Sequence, residues 1–379
     1  MSIEIYDIIK SRKNDSSHHG YKLIKNCDLN FYSSIPEQRN VQLSPRAEKF
    51  AQDMEAKFGT SYMDFQFPDQ AFQRIDFGYI SFPCHFDCTS EAQKNETRIL
   101  LSSMVTADSF RPKLIEYFLD YYIRIGLKPR NILLTVQVSY RTDPVQLFQL
   151  LQKLSSKGVY YDIFYGEWSS EALMYHQGHK LLYCSLRHDW IIVADSDEFH
   201  EYPGGNVEHF LRKMDKNGVN AVNGVFLDRV SSDGKLLQLS SSIPLFKRFP
   251  LGCRLHLNFD LGTPKKVMAF KGFLRINRGH HRLALCWFWE RRGYLHITPW
   301  RSCPPDKIDV IKLFKIKLNV HHFKWIDGQL EATKHKAEVW KGTKTGRSYS
   351  NVLHYLKLCN GICVSSPGFK CKKASALTS

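Results

Sequence analysis

The stretch Asp189-Trp190-Ile191-Ile192-Val193-Ala194-Asp195-Ser196-Asp197-Glu198-Phe199 decides how this chain is read. A short apolar run rich in β-branched residues predicts a buried strand. Acidic residues at its C-terminal end fall where open α/β sheets bind ligands. Side chains two apart on an extended segment share a face, so Asp195 and Asp197 converge on one ion. Hard oxygen ligands of this kind suit Mg²⁺ or Mn²⁺, which in turn holds substrate phosphates. The pattern points to chemistry on a phosphorylated or nucleotide-activated substrate.

Upstream of this stretch, strand and helix patterns alternate. Ile99 to Val105 reads as a strand. Pro112 opens a helix whose apolar face is Leu114, Tyr117, Phe118, Tyr121, Tyr122 and Ile125, stopped by Gly126 and Pro129. Asn131 to Val136 is the next strand. Asp143-Pro144 starts a second helix with Leu147, Leu150, Leu151 and Leu154, and Val159 to Tyr165 is a third strand. Ser169-Ser170-Glu171 caps a third helix reaching about Tyr183. Strands alternating with helices of this length imply a parallel sheet with right-handed crossovers. Downstream the pattern loosens into a short helix (Val207 to Met214), a strand (Ala221 to Leu227) leading to Asp228-Arg229, and hairpin-like segments to about Leu318. The organisation expected is an irregular N-terminal extension over 1–96, one α/β domain over 97–341, and a basic helix with a mobile tail over 342–379.

Composition sets the bounds. An apolar share of 43% and an aromatic share of 13% belong to a globular chain with a substantial core. No run of 18 apolar residues spans a membrane, and the first residues lack a secretory pattern. The net charge is +16. It is concentrated after Pro264, where 23 Lys and Arg face 6 Asp and Glu. Such a basic third suits diphosphates, anionic glycans or membrane surfaces. No nucleic-acid motif accompanies it, so no nucleic acid is expected. The ten cysteines are scattered and read as free thiols; the close pairs are Cys84-x3-Cys88 and Cys359-x3-Cys363, and a local disulfide is expected only if the chain is luminal. The chain is therefore expected in the cytoplasm or at a membrane surface, or in the Golgi if a leader precedes Met1.

Neither a glycine-rich dinucleotide pattern nor a phosphate loop is present, so phosphates must be held by a metal and side chains. A haloacid-dehalogenase-type phosphotransferase also places Asp-x-Asp after an apolar strand, but it continues with Thr where this chain has Phe199.

Asp195-Ser196-Asp197-Glu198-Phe199 after three βα units resembles the family 2-like glycosyltransferases of the GT-A fold, in the branch allied to family 92. Asp228-Arg229 with Asp233-Gly234, Asn277-Arg278-Gly279-His280-His281 and His321-His322-Phe323-Lys324-Trp325 look like the same branch. The resemblance covers roughly Ile99 to Leu356. It implies a Rossmann-like, mostly parallel sheet flanked by helices, with a mixed C-terminal half. It also implies a metal-dependent transferase that moves a sugar from a nucleotide diphosphate sugar, most readily a UDP-sugar, to a glycan or other hydroxyl acceptor, with inversion.

By that resemblance Asp197 ligates Mn²⁺ or Mg²⁺, and Asp195 meets the metal or the ribose. Ser196 reaches the ribose or a phosphate oxygen, and Glu198 orients the loop or touches the acceptor. His322 is the first choice for a third ligand, ahead of His321, His280 and His281; of two adjacent strand residues only one faces the site. His280, His281 and Arg229 are then substrate contacts. Lys324, Arg278 and Arg282 are candidates to neutralise diphosphate, with ordinary surface charge the expectation for any single one; Trp325, Trp287 and Trp289 are candidates to stack on sugar, with core packing expected for at least two of them. Asp228, on a strand expected beside the acidic one, is the candidate general base, with Asp260 and Glu290 behind it. The first strand ends in Ala107-Asp108-Ser109 and the second in Tyr140-Arg141-Thr142-Asp143, where the family carries other acidic patterns. Asp108 and Asp143 are left as base or ribose contacts. The rival from another class is a non-catalytic protein that holds anionic glycan or nucleic acid on the same fold.

Overall fold

The structure is a computed structural model that describes residues 97–107, 112–138, 143–165, 188–240, 242–259, 263–276 and 311–365, together with Ile24–Asn26, Tyr79–Pro83, 371–373 and scattered positions between. In chain order the elements are β1 (Ile24–Asn26), β2 (Tyr79–Pro83), β3 (Ile99–Thr106), α1 (Pro112–Arg124), β4 (Ile132–Val138), α2 (Pro144–Ser156), β5 (Tyr160–Tyr165), β6 (Trp190–Val193), β7 (Glu198–His200) and α3 (Val207–Lys216). They continue as β8 (Ala221–Val230), the single turns α4 (Leu245–Arg248) and α5 (Leu255–Asn258), β9 (Leu251–Cys253) between those turns, β10 (Lys265–Lys271), β11 (Arg275–Ile276) and β12 (Leu283–Ala284). The last are β13 (Leu318–His322), α6 (Gln329–Val339), α7 (Lys344–Cys359) and β14 (Lys372–Lys373).

One mixed sheet, ordered β1-β2-β5-β4-β3-β6-β10-β8-β13-β7, organises the chain. Its four middle strands β5-β4-β3-β6 are mutually parallel, as the alternating pattern requires. From β3 the chain steps outward to β4 and β5, then returns to place β6 on the other side of β3. That reversal is a topological switch point, the place at which open α/β sheets bind ligands outside the carboxyl ends of their strands. Asp195 lies two residues past the end of β6. The C-terminal half is mixed: β10 runs antiparallel to β6 and β8, β13 is parallel to β8, and β7 closes the edge antiparallel to β13. The fold class read from the sequence is therefore the one observed. One detail differs: β8 does not neighbour the acidic strand, because β10 lies between them.

Apolar periodicity explains the layers. Leu114, Phe118, Tyr121, Tyr122 and Ile125 of the α1 region are buried, as are Leu147, Leu150, Leu151 and Leu154 of α2. They pack with α3 on one sheet face, to which Leu101 and Ile192 also point. Leu100, Ile191 and Val193 point to the other face, where the helical residues Leu181 and Cys184 cover them. Burying all four residues of β6 against two layers stabilises it by roughly 2 kcal/mol per side chain. The start of β6 is fixed by buried Asp189, which accepts from Arg98 Nη2 at 2.8 Å and from the Arg98 and Leu186 backbone N–H groups. Gly224 in mid-β8 is required by close packing: a Cβ there would lie 2.5 Å from Met268 Sδ and 2.7 Å from Val320 Cγ2.

A third core holds the C-terminal helices, with Val352, Leu356 and Ile362 against Val230, Leu255 and Trp325. The tail is fastened at 371–373: Cys371 is disulfide-bonded to Cys253, and β14 pairs with β9. Cys359 and Cys363, one of the two close pairs, form a local disulfide, and the other pair, Cys84 and Cys88, lies outside the described residues. Every cysteine among the described residues is disulfide-bonded, which corrects the expectation of free thiols. No helix among those residues is long and apolar enough to cross a membrane.

Candidate active site

The segment Ala194–Asp197 leaves β6 and crosses to β7 at the sheet edge, so one turn links the switch point to the mixed half. A hydrogen bond from Glu198 N–H to the Asp195 carbonyl (2.9 Å) closes the turn. A second, from Phe323 N–H to the Asp197 carbonyl (2.8 Å), ties it to the end of β13. Register then does the placing. His322 on β13 lies opposite Glu198 on β7 and opposite Asp228 on β8, so these three side chains share one face. Lys266 on β10 lies opposite Gly224, which shares that face with Asp228 by the strand period.

Two connected groups result. In the first, Asp197 Oδ2 stands 3.5 Å from His322 Nε2. His322 Nδ1 is 2.9 Å from Asp228 Oδ1. Asp228 is wholly buried and also accepts from Trp325 Nε1 (3.0 Å) and from the His256 backbone N–H (3.1 Å). The His322 ring stacks on Phe226 at 4.7 Å. Burial alone would lower the His322 pKa, but Asp197 and Asp228 on either side raise it to about 10. Desolvation would raise Asp228, and the hydrogen bonds from His256 and His322 hold it well below the carboxylate range instead. Asp228, His256 and His322 also bring one ligand atom each within 4.8 Å of one another, a three-residue group that could hold a metal ion.

In the second group, Lys266 Nζ donates to Glu198 Oε1 at 2.7 Å and to Asp195 Oδ2 at 3.1 Å. The other Glu198 oxygen accepts from the Asp195 backbone N–H at 3.2 Å. The Lys266 side chain is 2% exposed and that of Asp195 47% exposed. Burial pushes Glu198 up to about 8 against the pull of Lys266, with the like charges of Asp195 and Asp197 adding to the rise. Desolvation of Lys266 is outweighed by Asp195 and Glu198, which keep it cationic. Burial would also raise Asp195, but Lys266 and His280 hold it well below the usual range.

The residues expected from the sequence divide accordingly. Asp195, Asp197, Glu198 and His322 come together, with half-buried Ser196 in their turn. His321 points to the opposite face, where it meets Glu201 at 3.2 Å. His280 is buried, its Nε2 3.0 Å from Gln177 Oε1 and its Nδ1 without a hydrogen bond; burial keeps it neutral, with a pKa of about 3. His281 is half-buried, its Nδ1 2.7 Å from the Lys265 carbonyl. Lys324 is half-buried beside Tyr349, and burial lowers its pKa. Asp143 is exposed at the start of α2, on the carboxyl side of β4.

Strand alternation turns Arg229 away from the cleft. It is fully buried between Phe246 and Phe323, donating to the Phe249 carbonyl at 2.9 Å. Asp228 is equally enclosed, its oxygens taken by His322, Trp325 and His256, so no oxygen is left open to an acceptor hydroxyl. Trp325 is in the third core and presents no face for a sugar. Asp108, Asp260, Arg278, Arg282, Trp287, Trp289 and Glu290 lie outside the described residues.

Sequence reasoning missed Lys266 and His256. Lys266 sits in a basic stretch that reads as surface charge, and its one available signal is alternation: in Lys265-Lys266-Val267-Met268 one lysine must point inward. His256 carries no pattern at all.

No protein-family model and no curated protein matches the chain. Solved structures overlap it remotely. Staphylococcus aureus TarS is 11% identical at a TM-score of 0.29, over 69% of this chain but 43% of TarS, so the chain spans less than half of that protein. Residues 1–349 of TarS in complex with UDP give 10% and 0.30, over 71% of this chain and 74% of that one. CMP:2-keto-3-deoxy-manno-octonic acid synthetase complexed with CTP gives 13% and 0.24, over 46% and 74%. Mouse xyloside xylosyltransferase 1 gives 10% and 0.19, over 34% and 53%.

Proposed function

We propose that this chain is a metal-dependent glycosyltransferase that moves a sugar from a nucleotide diphosphate sugar to a hydroxyl acceptor. The observation that carries the reading is the line Asp197–His322–Asp228 at the end of the acidic strand. Its chemistry fits a divalent ion. A carboxylate and an imidazole nitrogen converge at 3.5 Å, and the second imidazole nitrogen is held by a buried carboxylate. That backing is how metal-bound histidines are oriented. Asp197 and His322 would hold Mn²⁺ or Mg²⁺, which supplies charge neutralisation at a diphosphate leaving group.

The chain's own residues have the remaining roles. Asp228 fixes the tautomer and ring of His322. Asp195 keeps one face open to the cleft for the nucleotide ribose, and Ser196 lies beside it. Lys324 adds positive charge beside Asp197. Asp143, exposed at the start of α2 on the carboxyl side of β4, would face the base. His280 and His281 border the acceptor side. Direct displacement with inversion is the expected course. Disulfides in a chain with this many cysteines favour an oxidising compartment over the cytoplasm.

Calorimetric titration of UDP with and without Mn²⁺, repeated on Asp197→Asn, tests the reading. Binding that needs both metal and Asp197 is expected. Silence toward UDP, GDP and CDP with Mn²⁺ or Mg²⁺ would overturn it in favour of a non-catalytic polyanion-binding protein, whose binding is steeply salt-dependent and indifferent to Asp197.

A further inference from the structure

Asp195 owes its position to residues outside its own turn. Three hydrogen bonds close a ring around it: Lys266 Nζ to Asp195 Oδ2 at 3.1 Å, Lys266 Nζ to Glu198 Oε1 at 2.7 Å, and Asp195 N–H to Glu198 Oε2 at 3.2 Å. The ring fixes both the backbone of the turn and the side-chain rotamer of Asp195. One Asp195 oxygen is occupied by Lys266, and the side chain is still 47% exposed, so the rest of the carboxylate is open to a ligand. A carboxylate held in this way, acceptor-only, matches a hydroxyl donor.

Lys266 is the part without which the ring fails. It is 2% exposed, its stem runs past Phe226 with Nζ 5.6 Å from the ring, and both its contacts go to the turn. Removing it leaves half-exposed Asp195 beside buried Glu198 without the cation they share, which would swing Asp195 outward.

We infer that Lys266 is the positioning residue that makes the site select ribonucleotide donors, by presenting Asp195 to the ribose hydroxyls. This rests on the nucleotide-sugar reading above. It assigns to Lys266 a selectivity and not merely a share of the stability.

The test compares UDP with 2′-deoxy-UDP and 3′-deoxy-UDP by calorimetry at saturating Mn²⁺, on the full chain and on Lys266→Met, Lys266→Arg and Glu198→Gln. The unsubstituted protein should prefer UDP over at least one deoxy analogue by about tenfold or more, the worth of a hydrogen bond to a charged group. Lys266→Met should bring that ratio close to one while residual UDP binding still requires Mn²⁺ and Asp197. Lys266→Arg should restore part of it. Loss of affinity for all three nucleotides with the ratio unchanged would mean a structural role only and overturn the inference, as would a ratio near one in the unsubstituted protein. Both outcomes leave the metal and Asp197 dependence, and so the proposed function, standing. No binding of UDP, GDP or CDP by the unsubstituted protein overturns both. Should circular dichroism show Lys266→Met unfolded, Glu198→Gln decides by the same ratio, since it weakens the ring while conserving shape.

Discussion

At the scale of single residues, the site separates the groups that would touch ligand from the groups that hold them. Asp228 belongs to the second kind. Asp228→Asn keeps the shape but removes the charge behind His322, and loss of such a backing carboxylate lowers metal affinity by about 10–100-fold. We expect that loss in a Mn²⁺ titration followed by electron paramagnetic resonance, with thermal stability also reduced because Trp325 and the His256 amide lose an ionised acceptor. Unchanged Mn²⁺ affinity would remove Asp228 from the site. Away from the proposed metal ligands, His200 is wholly buried between Tyr122 and Tyr202, its Nε2 without a hydrogen bond. Burial lowers its pKa from 6.5 to about 3, with Lys266, His280 and His321 adding to the fall and Asp195 opposing it. Because the folded-state value is depressed, the unfolded chain takes up the proton first. Stability is full above pH 6.5, falls as pH drops below that, and stops falling near pH 3. At pH 5 this single group costs about 2 kcal/mol. In urea titrations the stability lost between pH 7.5 and 5 should shrink by about that amount in His200→Gln, and an equal loss in both proteins would refute it. His322 could be singled out in the sequence because it stands in a pattern with Phe323, Lys324 and Trp325, and the structure sets it beside Asp197. Lys266 was not, since an inward lysine looks like an outward one until a strand face is known. Arg229 was assigned to the wrong side for the same reason: it neighbours Asp228 in sequence, and adjacent strand residues face oppositely.

At the scale of elements, β3 to β6 could be read because parallel strands buried on both faces are continuously apolar and helices between them show a 3.6-residue period. The mixed half hides its order. β10 begins with two lysines and enters between β6 and β8 from far along the chain, and no local pattern encodes that neighbour. Its insertion is what brings Lys266 to Asp195. The packing that permits it is tight at Gly224, where β8 is clasped between Met268 of β10 and Val320 of β13. Gly224→Val should force these strands apart. Overpacking of this kind costs roughly 1–3 kcal/mol, and here more, since both neighbours are buried. The urea midpoint should fall accordingly. Nucleotide affinity measured well below that midpoint should fall too, because the registers that align Asp228 with His322 and Lys266 with the acidic turn pass through this strand. A stable Gly224→Val protein with unchanged affinity would show that the site tolerates movement of β8.

At the scale of the whole molecule, the described C-terminal residues, α7 to 365 and 371–373, strap onto the fold and bear directly on the site. Trp325, three residues after His322, joins Asp228 to the third core, and that core is completed by Val352 and Leu356 of α7 and by Ile362. Gly234, in the Asp233-Gly234 pair, lies against the Ile362 carbonyl, so close that any side chain there would collide with it. Beyond this point Cys371 is bonded to Cys253, across a separation of 118 residues. A crosslink over a loop that long removes enough unfolded-state entropy to stabilise the fold by about 4–5 kcal/mol in the chain-entropy account, and less where the unfolded chain keeps residual structure. Cys371→Ser, or reduction, should therefore lower the melting temperature by several degrees. Reduction acts as well on the disulfide of Cys184 and on Cys359–Cys363, the latter spanning a separation of only 4 residues and having little entropy to remove. The Cys253–Cys371 and Cys359–Cys363 bonds are separable by substitution: Cys371→Ser should lower the melting temperature by several degrees, and Cys363→Ser by much less. Since the third core carries Trp325 against Asp228, loosening the strap should also weaken Mn²⁺-dependent UDP binding before the protein unfolds. If reductant shifts the melting temperature but leaves that binding untouched up to the transition, the strap serves stability alone and the third core is uncoupled from His322.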